Sequence, residues 1–254
     1  MFPIHDENPT RHTPFATYTI IGLNVIVWSM FQGLGTDPAL SESLCAFGFI
    51  PGAFSNNLNP GAQIPLGNGF ACVIGDHLNW LTPLTSMFLH GGWLHLIINM
   101  WFLAIFGDNV EDVMGVTNFF IFYLLCGFGA VAVQLLSNPT SSLPMIGASG
   151  AIGGVMGAYA FLYPKAPVHL LVFLGFFLVR IVIPAYLMLG YWFLLQLFSA
   201  LPATGGTSGG VAFWAHVGGF LSGILSVKLL CRKDRLADAV RQRKAMSKLV
   251  ERIR

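Results

Sequence analysis

Four polar residues lie in apolar stretches of this chain and could carry out chemistry together: Ser149, His216, His95 and Asn99. A serine hydroxyl is a poor nucleophile unless a base lies beside it, and imidazole is the usual base. We therefore take His216 as the candidate base for Ser149. His95 and Asn99 are four residues apart, which places both on one face of a helix. Their side chains could stabilise an oxyanion by hydrogen bonds, so the four residues predict a hydrolytic site.

Each of these residues also has a simpler interpretation. A serine among glycines often only packs helices together, and a buried His95–Asn99 pair could join two helices by hydrogen bonds. His90, His95 and His216 could instead hold a metal, but no cysteine or acid accompanies them at ligand spacing, so we expect neither a metal nor a cofactor. The G-x-S-x-G turn of soluble hydrolases is not met, because residue 151 is alanine.

The segment 149–163 predicts a short helix that begins at the serine and ends before Pro164. At about 1.5 Å per residue it is roughly 22 Å long, shorter than a hydrocarbon core of about 30 Å, so Ser149 would lie below the membrane surface. Glycine pairs at 150/154 and 153/157 allow another helix to approach to backbone contact. The last apolar run has a matching stripe, Ala215, Gly219 and Gly223. Packing of these faces would bring His216 to Ser149.

Composition sets the class of protein. Hydrophobic residues make up 55% of the 254 residues and charged residues only 9%, which excludes an ordinary soluble domain and predicts an all-α polytopic membrane protein. We expect a bundle of six membrane-spanning helices with the short serine helix at its centre. The predicted spans are 15–35, a helix that starts near Gly92 within 78–107, 116–136, 149–163, 181–201 and 211–227. The apolar stretch 168–179 is too short to span and is assigned to the interface, and 108–112 is predicted as an acidic turn.

The lysines and arginines predict the topology. Nine of the 13 follow the last apolar run, and six spans place Lys165, Arg180 and Lys228 on the same side. The positive-inside bias makes this side cytoplasmic, and it explains the basic tail more simply than nucleic-acid binding. We predict a cytoplasmic N-terminal segment 1–14, a membrane domain 15–230 with an outer loop 36–79, and a basic cytoplasmic tail 231–254. Cys45 and Cys72 share the outer loop and could form a disulfide or remain free thiols.

Three pieces of the sequence resemble the rhomboid family of intramembrane serine proteases, in its bacterial type. They are the GxSG motif Gly147-Ala148-Ser149-Gly150, the segment 90–99 with its paired histidines and following asparagine, and Ala215-His216-Val217-Gly218-Gly219. Residues 107–115 also resemble the turn that follows the second helix in this family. The resemblance covers nearly all of 15–230, and it implies a six-helix rhomboid-like bundle.

Carried over residue by residue, the resemblance implies Ser149 as nucleophile and His216 as general base. It implies that the oxyanion donors are the backbone N–H of Ser149 and the side chains of His95 and Asn99. The residues with supporting roles would be His90, Gly147, Gly150, Gly219 and Glu111. His90 would be structural, and Glu111 would hold helix ends together. The implied substrates are single-span membrane proteins, and the expected location is a bacterial plasma membrane. The six-span topology predicts that the site opens to the outer side.

This sequence departs from the family pattern at two places. Many members carry a Trp-Arg pair in the first loop, whereas the loop 36–79 contains no arginine, so its anchoring must differ. Many also carry an aromatic residue four positions after the serine, against which the catalytic imidazole packs, and here that position is Gly153. The sequence therefore does not identify the residue that orients the His216 ring.

No aspartate or glutamate lies within a predicted span, so we expect a Ser149–His216 dyad without the carboxylate of a soluble triad. Asp76, in the outer loop, is the one acid that could fold over the site. Two alternatives use the same residues differently. An inactive rhomboid-like scaffold would bind membrane helices without cutting them. A polytopic transporter would use membrane histidines as a relay, but it predicts a repeat between the two halves, and none is visible.

Overall fold

The computed structural model describes residues 2–67, 69–75, 79–175, 177–201, 211–238 and 240–241. Asp76, the loop 202–210 and most of the basic tail lie outside these residues. The helices are Phe15–Met30 (α1), Ala39–Phe47 (α2), Pro51–Phe54 (α3), Thr82–Thr85 (α4), Trp93–Met114 (α5), Val116–Ser137 (α6), Ser149–Leu162 (α7), Ala185–Ala200 (α8) and Phe213–Leu230 (α9), with short 3-10 turns at Gly33–Gly35 and Ser86–Phe88. The strands are Phe2–Asp6 (β1), Gln63–Gly67 (β2), Phe70–Val73 (β3), Pro167–Leu174 (β4) and Phe177–Pro184 (β5).

The protein is mostly helical, and its apolar helices match the predicted segments in number and order. Within the described residues, α5, α6 and α9 are long and apolar enough to cross a membrane. The helices α1, α7 and α8 are apolar but have only 16, 14 and 16 residues. A bundle of six spans therefore stays a prediction. The starts expected near 92, 116 and 149 are correct to within one residue, and the last helix begins at Phe213 rather than at 211.

The prediction of an all-α fold is wrong, because the apolar stretch after α7 forms a β-hairpin. Strands β4 and β5 pair antiparallel, β1 joins the free edge of β4, and Gly175, at φ +62°, lies in the connection. The hairpin includes residues 181–184, which were assigned to the fifth span, so that helix begins only at Ala185. β5 contains four β-branched residues, Val179, Ile181, Val182 and Ile183, which favour a strand over an interfacial helix. Tyr159 of α7 donates a hydrogen bond to Asp6, and burial raises the pKa of Asp6 to about 6.

The acidic residues 108–112 are also not a turn, since α5 continues to Met114 and the chain reverses at Gly115, with φ +81°. Glu111 is buried there and accepts hydrogen bonds of 2.8 Å from the backbone N–H groups of Ala16 and Thr17. Its carboxylate caps the first turn of α1, where the backbone N–H groups have no partner within the helix. These two hydrogen bonds join the C-terminal end of α5 to the N-terminal end of α1.

Helix α7 lies at the centre of the core, and it is buried continuously from Gly150 to Tyr159. Its closest neighbour is α9. A Cβ added to Gly219 would lie 1.8 Å from the carbonyl oxygen of Gly150, and one added to Gly223 would lie 1.9 Å from that of Gly154. The two backbones are therefore in direct contact, as the small-residue stripe predicted. We call this contact the glycine seam.

The loop 36–79, which is predicted to lie outside, is described over 36–67, 69–75 and residue 79, and it is folded onto the end of the bundle at which α5, α7 and α9 begin. Helix α1 ends at Met30 rather than at 35, and the loop carries α2, α3 and the β2–β3 hairpin. Cys45 and Cys72 form a disulfide, so the first of the two alternatives is correct. Phe49 exchanges backbone hydrogen bonds of 3.0 and 2.7 Å with Met145. This pairing fixes the loop, without an arginine, to the segment that leads to Ser149.

Candidate active site

Ser149 and His216 are brought together by the glycine seam. Ser149 is the first residue of α7, and His216 lies in the first turn of α9, at the same end of the bundle. The distance from His216 Nε2 to Ser149 Oγ is 2.8 Å, and that from His216 Nδ1 to Oε1 of Gln196 on α8 is 2.7 Å. With Gln196 Oε1 as the acceptor, the ring proton of neutral His216 lies on Nδ1, because a carboxamide oxygen only accepts hydrogen bonds. In this tautomer Nε2 is free to accept the proton of the serine hydroxyl.

His95 presents a hydrogen-bond donor to the same site. Its Nδ1 accepts the backbone N–H of Gly91 at 3.3 Å, so the neutral ring carries its proton on Nε2. Gly147, at φ +114°, leaves space between this donor and the serine. A Cβ at Gly147 would lie 2.8 Å from His95 Nε2 and 3.5 Å from Ser149 Oγ. Any larger residue would fill the space in which a substrate carbonyl oxygen could bind.

Asn99 lies one turn below His95 on α5 and faces the same cavity. The residue is 5% exposed, and its Nδ2 has no hydrogen-bond partner among the residues that the structure describes. Burial of an amide without a partner costs about 1–3 kcal/mol. This amide is therefore available to bind an additional polar group in the cavity.

His90 occupies a different position. It is fully buried outside the cavity wall, with its ring centroid 5.0 Å from that of His95 in an edge-to-face arrangement. Its backbone N–H and C=O both bond to the Gln32 side chain at 2.8 Å. These contacts fix the chain just before α5 and pack against the His95 ring, which places His90 in a supporting position.

The four candidate residues line one cavity of about 650 Å³. The segment 140–147 forms one wall, and it is held by the Phe49–Met145 pairing and by a bond of 2.9 Å from the Gly147 N–H to the Ser86 carbonyl. Mostly apolar walls with a few convergent polar groups are typical of a site that binds an organic substrate. The glycines that are predicted to have supporting roles lie around the cavity, with Gly150 and Gly219 at the seam and Gly147 beside the serine.

Sequence reasoning missed two residues of α8 that contact His216. The Trp192 ring centroid is 5.8 Å from that of His216, and a Cβ at Gly153 would lie 3.6 Å from Trp192 Cη2. Trp192 therefore lies in the space next to Gly153 and packs on the imidazole. Gln196 is the only carboxamide or charged side chain in α8, and a polar residue within a membrane helix is a functional candidate. That signal was available, but its contact with His216 could not be read from the sequence.

The fold and the site together define a mostly helical membrane protein with a hydrogen-bonded serine and histidine at one end of its bundle. Residues 77–233 match the family model of the Rhomboid domain, which is more than half of the chain. The protein belongs to the rhomboid family.

The chain is similar to several curated members of this family. It is 31% identical over 161 residues to RHOMBOID-like protein 6, mitochondrial, of Arabidopsis thaliana, across 59% of this chain and 52% of the relative. It is 31% identical over 162 residues to Rhomboid-like protein 11, chloroplastic, of the same plant, across 60% and 53%. It is 30% identical over 145 residues to Rhomboid protease GluP of Bacillus subtilis, across 57% and 24%. The matches to the two plant relatives thus span about half of their length. Because relatives occur in plant organelles and in a bacterium, they do not assign this chain to one membrane.

Proposed function

We propose that this protein is an intramembrane serine endopeptidase that cleaves the spanning segments of other membrane proteins. The observation that carries the proposal is the distance of 2.8 Å between His216 Nε2 and Ser149 Oγ, which is within hydrogen-bond reach. A base within hydrogen-bond reach of a hydroxyl is the geometry that activates a serine. The rhomboid family and its protease relatives support the same reaction.

In the proposed reaction, Ser149 Oγ attacks the carbonyl carbon of the substrate peptide and its proton passes to His216 Nε2. The carbonyl oxygen becomes an oxyanion, which His95 Nε2–H and Asn99 Nδ2–H stabilise. The backbone N–H of Ser149 adds a third donor, since it lies in the first turn of α7, where such groups have no acceptor within the helix. Protonated His216 then gives its proton to the leaving amine, and an ester on Ser149 remains. Water, deprotonated by His216, hydrolyses this ester and restores both residues.

The proposed substrate is a single-span membrane protein whose helix unwinds near the site. The backbone groups of a helix are hydrogen-bonded within the helix, so Ser149 can reach a peptide bond only where the helix has unwound. Within the bilayer a helix unwinds only where protein or water replaces the lost hydrogen bonds. We place the site on the outer side and both termini in the cytoplasm, with a membrane domain over 15–230 and lipid around it. The one-sided cations support this orientation.

A fluorophosphonate probe tests the proposed nucleophile. Solubilised protein should form a covalent adduct at Ser149 that peptide mass spectrometry can locate. His216→Ala should slow its formation by about 100-fold or more, because the hydroxyl loses its base. Ser142→Ala is a matched control, since Ser142 lines the same cavity without contacting His216, and it should label at the wild-type rate. The absence of an adduct, or an adduct on another serine, would instead favour an inactive rhomboid-like scaffold.

A further inference from the structure

We propose that Gln196 is a positioning residue for His216: its carboxamide oxygen holds the imidazole in the tautomer and orientation that accept the Ser149 proton. The inference rests on the proposed function, because it assigns a role to Gln196 in that same reaction. It gives the Ser149–His216 pair a third partner that is uncharged and that comes from a different helix.

The geometry of the contact supports this role. Gln196 Oε1 lies 2.7 Å from His216 Nδ1, on the opposite side of the ring from Ser149. Gln196 is half-buried, and it does not line the cavity that Ser149, His95 and Asn99 share. Its effect on the reaction must therefore pass through His216.

The chemistry of the tautomer explains why such a partner is needed. Neutral imidazole carries one proton, and a proton on Nε2 would present a donor to the serine hydroxyl instead of an acceptor. In soluble triads a carboxylate prevents this by accepting the Nδ1 proton. A carboxylate inside a membrane protein would require costly desolvation, whereas a carboxamide accepts the same hydrogen bond without a net charge.

Trp192 completes the arrangement from the same helix. It precedes Gln196 by four residues, so both side chains lie on one face of α8 and both meet the His216 ring. The indole packs on the ring beside Gly153, and the carboxamide binds its edge. A side chain from α8 therefore takes the position of the aromatic residue that many family members carry on the serine helix.

The first measurement reads the tautomer directly and needs no activity. In protein labelled with 15N-histidine, the His216 signals, assigned by their loss in His216→Ala, should show a protonated Nδ1 and an unprotonated Nε2. Gln196→Leu, which keeps much of the volume but has no acceptor, should move the proton to Nε2. Gln196→Glu should return it to Nδ1. A wild-type ring with its proton on Nε2 would overturn the proposal.

The second measurement is the cleavage of a single-span reporter. Gln196→Leu should lower kcat about 10- to 1,000-fold and change KM less than about threefold, since only the reactive state of the base is lost. Gln196→Glu should recover most of kcat. Tyr191→Phe, which removes a hydroxyl from an exposed position on the same helix, is the control and should stay within about twofold of wild type.

The two measurements separate the inference from the proposed function. In one outcome, wild-type protein neither reacts with the probe nor cleaves the reporter, yet His216 carries its proton on Nδ1 only when residue 196 is a hydrogen-bond acceptor. This outcome would refute the proposed protease function and retain the role of Gln196 in positioning His216. Wild-type protein that cleaves, with Gln196→Leu at the same kcat and the same tautomer, would refute the role of Gln196 and leave the protease intact.

Discussion

Two of the helices that pack on α9, namely α7 and α8, hold it by different means. Along the glycine seam with α7, backbone meets backbone, because Gly219 and Gly223 leave no room for a Cβ against the carbonyls of Gly150 and Gly154. Such a contact admits little sliding, since any shift brings carbonyl oxygens into Cα atoms. The seam therefore fixes the distance between the helix that carries Ser149 and the helix that carries His216.

Helix α8 contacts α9 through side chains. The rings of Phe193 and Phe220 stack at 4.7 Å, Trp192 packs on His216, and Gln196 bonds to it. Much of the rest of α8 is exposed, with Tyr191 and Phe198 49% and 64% accessible. Side-chain contacts can rearrange at lower cost than backbone contacts. Glycines therefore set the distance between Ser149 and His216, whereas larger side chains on α8 set the orientation of the imidazole.

The largest effect is expected from breaking the seam. Gly219→Val places side-chain atoms where a Cβ alone would lie 1.8 Å from the Gly150 carbonyl oxygen, so α7 and α9 must separate. We expect loss of detectable cleavage and a destabilisation of about 3 kcal/mol or more, read as a lower melting temperature in detergent. Gly190→Val makes the same change in α8, where a Cβ would have open space within the described part of the chain. Equal activity in Gly219→Val and Gly190→Val would refute the distinction between the backbone contact of α7 with α9 and the side-chain contact of α8 with α9.

A smaller effect is expected from loosening α8. Trp192→Ala removes the indole that packs on His216 but leaves the Gln196 bond and the seam in place. We expect kcat to fall about 3- to 30-fold, with labelling of Ser149 still detectable, because the ring keeps its tautomer and loses only part of its packing. Trp192→Phe should recover part of this loss. If Trp192→Ala were as inactive as Gly219→Val, the orientation of the His216 ring could not be separated from the distance between Ser149 and His216.

Much of this arrangement could be predicted because it is encoded in local spacing. The glycine stripes of 150–157 and 215–223 predicted the seam, and the seam then places His216 beside Ser149. The four-residue spacing of His95 and Asn99 placed both on one face of α5. Each of these inferences needs only helix periodicity and the size of glycine.

The features that were missed depend on contacts distant in sequence or on a change of secondary structure. Gln196 precedes His216 by 20 residues and meets it only because α8 packs against α9. The hairpin of β4 and β5 was missed because an apolar run of twelve residues before Arg180 is ambiguous between strand and helix. The sequence predicts a turn at 108–112 because three of these five residues are acidic. The N–H groups of α1 that bind Glu111 lie 94 and 95 residues earlier in the chain.

The most direct test of the central claim is the cleavage of a single-span reporter in proteoliposomes by four proteins: wild type, Ser149→Ala, His216→Ala and Asp76→Asn. We predict that wild type cuts within or next to the spanning segment and that the first two variants lose at least about 1,000-fold in rate. Asp76 lies outside the described residues, and its variant should stay within about threefold of wild type, since the base needs no carboxylate. Cleavage that persists in Ser149→Ala would contradict the serine mechanism. A folded Asp76→Asn protein as inactive as His216→Ala would replace the dyad with a carboxylate triad.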